Sequence, residues 1–595
     1  MRQTLDFLLN DWLKISQDLT PRERFAEHSD ETYAAVLDTC ERIAREKYAP
    51  ANRLSDSQEP HFDGRRVTLP QATHEALAAY VESGMLAASC DYELGGMQLP
   101  CVIEMAANSF FAKASVSIGG YAMLTKGNAH LLLAHGTPRQ QEVFAAKELA
   151  GRWFGTMCLS EPQAGSSLSD VATRAELDDE ADPLGPRYRL KGNKMWISGG
   201  EHEITENIVH LVLAKIPGPD GKPVPGVKGI SLFIVPKKMV GPDGELTGER
   251  NDVQLAGLNH KLGYRGTTNC LLNFGEKTGA VGYLVGKPGE GLKCMFHMMN
   301  EARIGVGLGA VMLGYAGYEA SLEYARQRPQ GRAVTSTGKD AASPQLKIIE
   351  HADVKRMLLA QKSYVEGGLA LELMCARLVD EQRTGAPDDA AEAAQLLEVL
   401  TPIAKSWPSE WCLEANSLAI QVLGGYGYTR DFPVEQYWRD NRLNMIHEGT
   451  HGIQGLDLLG RKVVMNGGAA LQVLATHVND TIEKALQDTT LAEHANQLAA
   501  ALAKVGRATK NAWSTGLPEE ALANATPYLQ AFGHVVLAWL WLDVSMAANS
   551  DSDFHKGKRA AASYFFAYEL PKIDAWLAVV ARRESLCREM QDGWF

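Results

Sequence analysis

The sequence predicts an α+β fold in which helical and β-rich segments follow one another in blocks. Helical periodicity dominates the first part of the chain, short β-rich runs replace it near residue 155, and helical periodicity returns from Gly291 onward. Such blocks argue against a doubly wound sheet, in which strands and helices alternate. The chain has 595 residues, more than one ordinary core accommodates. We therefore expect an N-terminal helical domain over 1–154, a β-barrel or β-sandwich over 155–290, a helical domain over 291–465 and a helical C-terminal extension over 466–595.

The N-terminal segment shows amphipathic helices and no convincing strand pattern. Apolar residues recur at helical spacing over 31–47 and 74–86, and Gly95-Gly96 marks a loop. A helix pair is expected over 124–135 and 137–149, with Thr137-Pro138 as the start signal of the second helix.

The second segment contains short runs rich in β-forming residues. In the run 230–235, Ile230, Leu232 and Ile234 share one face, and Phe233 and Val235 share the other. This period of two, apolar on both faces, predicts a buried strand. The expected strands are 187–198, 207–216, 229–237, 254–262 and 269–275.

The third segment carries helical stripes. One helix should stop at Gly424-Gly425, and 332–343 is polar and predicts a surface loop. A glycine pattern at 305–310 follows no strand, so we interpret it as close helix packing rather than a dinucleotide site. The stripes are Val354, Leu358, Val365, Leu369 and Leu373, and Trp411, Ala415, Leu418 and Val422.

The C-terminal extension is richer in Ala and Leu, and Gly467-Gly468 is its candidate boundary. The most apolar run, 535–542, ends at Asp543 and is too short to span a bilayer, which favours a core helix.

Composition excludes several classes of function. The net charge is −13 and no dense basic run occurs, which argues against a nucleic-acid or anionic-membrane surface. Nine cysteines lie without a CxxC pair, so we expect reduced thiols and no metal site. The first ten residues lack a long apolar stretch typical of a signal peptide. A cytoplasmic protein with no integral membrane segment is expected.

The stretch 444–454 contains a lone carboxylate, Glu448, among apolar and small residues. Poor solvation would make this carboxylate a better base, and Gly449 would let the backbone bend or a ligand approach. The alternative is an exposed glutamate in a surface turn, and taken alone the stretch favours that alternative.

Two stretches of the β-rich segment could hold a flat heteroaromatic ring. The turn 157–167 could present backbone N–H groups and hydroxyls to an anion or a polar ring edge. Trp196 offers a flat apolar face beside Ser198. The alternatives are an ordinary turn at Ser166 and a core aromatic at Trp196.

Two stretches of the helical segment could contact phosphates or a ligand backbone. Three arginines close a helix over 324–332, and 421–428 forms a glycine-rich turn. The alternatives are basic residues that complement a helix dipole and a plain helix stop.

Taken together and in this order, the motifs resemble the acyl-CoA dehydrogenase family of flavoproteins over roughly 35–462. The matching stretches are 158–166, 195–198, Arg328 with Gln330-Gly331, Gln421 with 424–427, and 448–450. The chain is most similar to a long subgroup with an extra helical C-terminal block, on the cues of 202–210 and 452–461.

The resemblance implies a helical domain, a β-barrel domain and a four-helix domain. It implies α,β-dehydrogenation of a fatty acyl-CoA to a trans-2-enoyl-CoA, as in β-oxidation, with FAD as cofactor and electron-transfer flavoprotein as acceptor. Glu448 matches the catalytic base, whose backbone N–H would hold the thioester carbonyl together with a flavin ribityl hydroxyl. A homodimer is expected, with Arg328, Gln421 and Gly425 reaching FAD across the interface.

The remaining site residues follow from the same resemblance. The implied FAD contacts are Met157, Leu159, Ser160, Ser166, Trp196, Ser198, Arg328, Gln421, Gly425 and Thr450. The implied substrate contacts are Ser166, Asn300, Arg303, His447 and Gly449.

The chain departs from the family pattern at three places. The loop after Arg328 is one residue shorter and lacks the usual Phe, His447 stands where Tyr is frequent, and Gly452 stands where many members have Gln. An acyl-CoA oxidase or a non-catalytic acyl-CoA-binding protein on the same fold remains an alternative function.

Overall fold

A computed structural model describes residues 1–595, which divide into two compact units. The sheet unit comprises Glu31–Leu99 and Phe110–Gly305. The helical unit comprises Met1–Asp30, Pro100–Ser109 and Val306–Phe595. The four-segment division expected from the sequence stays a prediction.

The sheet unit contains twelve strands. In chain order they are β1 (His61–Phe62), β2 (Val67–Thr68), β3 (Trp153–Cys158), β4 (Arg174–Asp179), β5 (Arg187–Ser198), β6 (Asn207–Lys215), β7 (Ile230–Pro236), β8 (Lys238–Val240), β9 (Leu246–Arg250), β10 (Val253–Leu258), β11 (Asn269–Phe274) and β12 (Ala280–Val285).

Five of these strands close a small barrel in the order β5, β12, β7, β6, β4 and back to β5. The closing contact between β4 and β6 is the parallel pair Arg174 and Lys215. Strand β3 extends the sheet beside β6, and β11 and β10 extend it beside β5. The predicted barrel is therefore confirmed.

Strand β7 of the barrel is buried on both faces, as its pattern predicts. Phe233 and Val235 lie in one apolar cluster, whereas Leu232 and Ile234 lie in a second cluster. The second cluster includes Leu132 and residues of neighbouring helices, so the barrel packs against those helices.

The sheet unit's helices lie mainly before the barrel. Thr137 caps one of them by accepting a hydrogen bond from the Gln140 backbone, and the Gln140 side chain accepts from the Thr137 backbone in return, which confirms the predicted start signal. The helical segments are Asp30–Ile43, Ala44–Tyr48, Ala49–Ser57, Gln71–Glu82, Cys101–His135 from Phe110 onward, Pro138–Gln140, Gln141–Ala145, Ala146–Leu149 and the start of Gly291–Gln327.

Several strands lie outside the five ranges expected from the sequence. The expectation of no strand before residue 150 is wrong, because β1 and β2 pair there; with two residues each, they are too short to show a period. The sequence also does not predict β4, which is mostly polar, or β12, which contains Gly282, a residue that weakens strand propensity.

The helical unit is built around long helices. The predicted stop at Gly424 is confirmed, since the helix ends at Leu423, and 332–343 is an exposed loop as expected. The main helices are Gly291–Gln327 from Val306 onward, Ala352–Thr384, Pro387–Leu423, Val434–Asn441, His451–Asp457, Ala469–Ala485, Ala492–Ala512, Ala525–Ala547, Asp553–Tyr564 and Ile573–Ala581. Shorter helices are Arg2–Asp6, Ile15–Asp18, Pro518–Ala521 and Leu586–Glu589.

The C-terminal extension interlocks with this body. The Trp541 indole donates to the Ser363 carbonyl at 3.1 Å, and a Cβ on Gly367 would lie 2.6 Å from the same indole nitrogen. Trp407 of the body donates to His534 of the extension at 3.1 Å. The extension is therefore packed on the helical body and is not a separate domain on a linker.

The apolar helix Ala525–Ala547 meets the length and hydropathy expected of a membrane span, but 89% of its most apolar window is buried inside the fold. Such burial is typical of a core helix, as the sequence predicts.

Candidate active site

Glu448 stands on strained backbone between two short helical elements. Its φ is +54°, in the left-handed region that non-glycine residues rarely adopt. The following Gly449 has φ of +92°, and a Cβ there would lie 2.5 Å from the Gln454 amide nitrogen, so only glycine fits. Strain of this kind costs on the order of 1–3 kcal/mol and persists only where neighbours hold it.

Two side chains hold this strained turn. The Gln454 amide donates to the Glu448 carbonyl at 3.0 Å, and the Lys405 ammonium donates to the Gly449 carbonyl at 2.6 Å. Both donors are fully buried, so each bond forms away from bulk water. The backbone carrying the carboxylate is therefore fixed from two directions, whereas the Glu448 residue itself is half-buried rather than covered.

The residues flanking Glu448 also have defined structural contacts. The Thr450 hydroxyl accepts from the Ile453 N–H at 3.4 Å and caps the helix His451–Asp457. The hydroxyl hydrogen can still donate to a ligand, so the predicted cofactor contact of Thr450 is compatible with the cap. His447 is half-buried, and its Nε2 lies 2.9 Å from the Asn444 side-chain oxygen.

In the sheet unit, a β-bulge aims Trp196 outward. Between β5 and β11, Met195 and Trp196 together oppose a single residue, and the φ of Trp196 is +65°. The indole is 60% exposed, which rules out the alternative of a core aromatic. Beside it the Ser198 hydroxyl accepts from Asn269 at 3.3 Å.

A buried ion pair braces the turn next to Trp196. The Lys194 ammonium donates to the Glu161 carboxylate and to the Leu159 carbonyl, both at 2.9 Å. Burial lowers the pKa of Lys194. Burial alone would raise the pKa of Glu161, but Lys194 and the hydrogen bonds from Thr173 and Ala172 bring it below its ordinary value. Glu161 therefore holds the turn.

The braced segment brings several predicted flavin contacts together. The Met195 N–H donates to the Ser160 carbonyl at 3.0 Å, which joins the turn after β3 to the bulge. Met157 and Ser160 are half-buried, Leu159 is buried and Ser166 is exposed. This set offers a flat aromatic face, a sulfur and hydroxyls, which fit one face and the polar edge of a flavin ring.

In the helical unit, the predicted phosphate-side residues form an exposed group. The Arg328 guanidinium lies 5.9 Å from the Tyr426 ring centre, which places it at the turn Gly424–Tyr428. Gln421 and Gly425 are exposed on the same turn region. Gly424 has φ of +61° with ψ of −136°, a conformation open only to glycine. An exposed arginine beside exposed backbone suits a phosphate.

The predicted substrate residues Asn300 and Arg303 lie on the first turns of the helix Gly291–Gln327. Asn300 is half-buried, but Arg303 is only 4% exposed. The assembly of these groups into one site stays a prediction. The sequence does not single out Lys405, Gln454 or Asn444. Lys405 reaches the base segment from a distant helix, whereas Asn444 and Gln454 are close in sequence but reach it only through the local fold of 444–454.

Family models match nearly the whole chain. Models described as the N-terminal, middle and C-terminal domains of acyl-CoA dehydrogenase match residues 30–152, 156–276 and 289–463. A model described as acetyl-CoA dehydrogenase C-terminal like matches residues 474–591.

Individual proteins are similar over most of their length. The chain is 36% identical over 541 residues to 3-methylmercaptopropionyl-CoA dehydrogenase of Ruegeria pomeroyi, covering 89% of each chain. It is 32% identical over 593 residues to a butyryl-CoA dehydrogenase of Syntrophomonas wolfei, covering 96% of this chain and 95% of the relative. The solved structure of an acyl-CoA dehydrogenase complexed with FAD from Bacillus anthracis shares the fold, with a TM-score of 0.74 and 20% identity over 97% of this chain and 91% of that one.

Proposed function

The chain belongs to the acyl-CoA dehydrogenase family, and on that premise we propose that it oxidises a fatty acyl-CoA thioester to the trans-2-enoyl-CoA with Glu448 as the base. FAD is the cofactor of this family. The observation that carries the proposal is the Glu448 carboxylate on left-handed backbone held by Gln454 and Lys405.

The chain's own residues account for the proton chemistry. The Glu448 carboxylate takes the proton from the carbon next to the thioester carbonyl, which breaks that C–H bond and leaves a protonated carboxyl group. When bound, FAD supplies the redox chemistry by accepting a hydride from the neighbouring carbon. Because the turn is already fixed, the base needs no reorganisation at the moment of proton transfer.

Two sets of residues would hold FAD, one in the sheet unit and one in the helical unit of the partner subunit. Trp196 and Ser198 would contact the flavin ring, with Met157, Leu159 and Ser160 along its edge and Ser166 on the pyrophosphate side. Arg328, Gln421 and Gly425 would contact the FAD of the partner subunit. We further propose electron-transfer flavoprotein as the acceptor and the cytoplasm as the location.

The test is anaerobic titration of the FAD-loaded protein with acyl-CoA thioesters of increasing chain length. We expect the flavin absorbance to bleach within a turnover and a trans-2-enoyl-CoA to form. Reoxidation by electron-transfer flavoprotein without peroxide release supports the dehydrogenase, whereas rapid peroxide release in air identifies an oxidase. Acyl-CoA that binds without bleaching the flavin would overturn the proposal in favour of a non-catalytic binding protein.

A further inference from the structure

Three buried asparagines lead from a helix of the helical unit to His447. Asn416 lies on the helix Pro387–Leu423, Asn441 ends the helix Val434–Asn441, and Asn444 lies in the turn just before His447. All three side chains are fully buried. Their amides are joined at 2.7 Å between Asn441 and Asn416 and at 2.9 Å between Asn444 and Asn441, and the His447 ring continues the chain at 2.9 Å from Asn444. We name Asn416, Asn441 and Asn444 the amide relay.

Two backbone carbonyls fix the amide orientations of Asn416 and Asn441, at the end of the relay away from His447. Asn416 Nδ2 donates to the Leu313 carbonyl at 2.9 Å, and Asn441 Nδ2 donates to the Ala310 carbonyl at 3.1 Å. A carbonyl can only accept, so the nitrogen of each amide must face it and neither amide can be flipped.

The remaining assignments then follow one after another. Asn441 Oδ1 can only accept, so Asn444 must present its nitrogen to it and its oxygen to His447. An oxygen acceptor requires a hydrogen on His447 Nε2. The neutral ring is therefore the Nε2–H tautomer, with Nδ1 carrying the lone pair.

The helix Gly291–Gln327, whose Ala310 and Leu313 carbonyls accept from the relay, has a glycine, Gly317, next to the Asn416 amide. A Cβ on Gly317 would lie 2.6 Å from Asn416 Nδ2, closer than side-chain packing allows. An alanine ordinarily stabilises a helix interior relative to glycine. At Gly317 it would instead displace the amide on which the relay begins.

We propose that the amide relay fixes His447 as its Nε2–H tautomer and thereby positions the base segment 447–449. Asn416, Asn441 and Asn444 are positioning residues, because they act on Glu448 through His447. The inference rests on the proposed function only for the role of Glu448.

The relay adds a third constraint to the strained turn. Gln454 and Lys405 hold the carbonyls of Glu448 and Gly449, and the relay holds the side chain of the preceding residue, His447. The relay ends in a neutral amide oxygen, so it offers no counter-ion to a charged imidazole ring. The titratable groups on or bonded to the segment 447–451 include Glu448 itself, Lys405, which donates to the Gly449 carbonyl, and His451, whose Nε2 lies 3.2 Å from the Glu410 carboxylate.

The first test reads the tautomer directly in the FAD-loaded protein labelled with ¹⁵N-histidine. The His447→Gln variant identifies the His447 signals by their absence. Long-range couplings to the ring protons show which nitrogen carries hydrogen, and we expect Nε2–H with an unprotonated Nδ1 at neutral pH. A wild-type ring protonated at Nδ1 alone would overturn the proposal, whatever the protein does with acyl-CoA.

The second test breaks the relay at its two ends, next to His447 and at Asn416. Asn444→Leu and Gly317→Ala should mix the tautomers and slow flavin reduction by on the order of 100-fold, as expected for a misplaced reacting group, without weakening acyl-CoA binding. Asn524→Leu is the matched control, since Asn524 is also a buried amide of the helical unit and donates to the Glu584 carbonyl at 3.0 Å. It should lose stability but keep both tautomer and rate.

The outcomes separate this inference from the proposed function. Folded Gly317→Ala with a wild-type tautomer and rate would overturn the relay. Wild-type protein whose flavin does not bleach would overturn the proposed function and leave the tautomer result standing.

Discussion

At the scale of single residues, Glu448 combines a carboxylate with a backbone conformation that the chain must hold in place. Glu448→Gln keeps the shape of the side chain but cannot accept a proton. We expect this variant to retain FAD and bind acyl-CoA, while the rate of flavin reduction falls by about 10²–10⁴-fold. Stopped-flow absorbance under anaerobic conditions measures that rate. Flavin reduction near the wild-type rate would show that another group is the base.

Arg328 carries the second residue-scale prediction. Its guanidinium is exposed beside the glycine turn, with only a ring face, that of Tyr426, near it. If it faces the FAD pyrophosphate, Arg328→Ala removes a charge-assisted contact and should weaken FAD binding by 1.5–3 kcal/mol, about 10- to 100-fold. Flavin occupancy after dilution and gel filtration measures the loss. Arg582→Ala is the control, since Arg582 is also exposed in the helical unit but lies outside every segment expected to contact FAD, and it should leave occupancy unchanged.

At the scale of elements, a pair between the buried His130 and the half-buried Glu301 joins two helices of the sheet unit. His130 Nδ1 lies 3.0 Å from the Glu301 carboxylate, and its Nε2 lies 3.6 Å from the Cys90 sulfur. Burial disfavours the charged form of His130, but the Glu301 carboxylate outweighs it and raises the pKa of His130 to about 9. Burial likewise opposes the charged form of Glu301, but His130 outweighs it and lowers the pKa of Glu301 to about 2. An unfolded histidine titrates near 6.5.

The sign of the resulting pH dependence follows from these values. Because the pKa of His130 is higher in the folded state, its stabilisation is fully present below about pH 6.5 and is lost as pH rises through about 9. We expect the thermal unfolding midpoint to fall more steeply over that window in the wild type than in His130→Gln. His260→Gln is the control, as the His260 side chain is 90% exposed. Parallel curves for wild type and His130→Gln would contradict the role of the pair.

Helices and strands with a regular pattern of apolar residues or a local stop signal could be predicted from the sequence. Those that form only because of contacts with distant segments could not. The two faces of β7 and the stop at Gly424 follow from local chemistry, and the structure confirms both. The barrel's closing strand β4 shows no period, since only its pairing with β5 and β6 makes it a strand. In the candidate site, Glu448 and Trp196 could be identified as motifs, but their left-handed backbone could not.

The amide relay is likewise only partly predictable from the sequence. Asn444 precedes His447 by three residues, a spacing visible in the sequence. Asn416 and the carbonyls of Ala310 and Leu313 come from distant helices, so nothing local indicates that they share one hydrogen-bonded chain.

At the scale of the whole molecule, the C-terminal extension covers apolar surface of the helical body. Its Trp541 and His534 contact Ser363 and Trp407, on the helices Ala352–Thr384 and Pro387–Leu423. The family resemblance implies a dimer of dimers in which a second dimer docks on the four-helix domain, and we predict that the extension covers that surface. If the extension takes that place, the protein should be a homodimer, and light scattering should give about twice the 64.9 kDa chain mass. A stable tetramer of the full chain would sink the proposal.

If each FAD site of the dimer is built from both chains, a heterodimer of two different variants gives a further test. Each site would contain Glu448 of one chain and Arg328 of the partner subunit. In a heterodimer of a Glu448→Gln chain with an Arg328→Ala chain, one site then carries both changes and the other carries neither. We expect purified, co-expressed heterodimers to retain about one FAD per dimer after gel filtration and to reduce that FAD at the full rate. If both residues served the FAD of their own chain, every site would carry one change, and mixing would restore nothing.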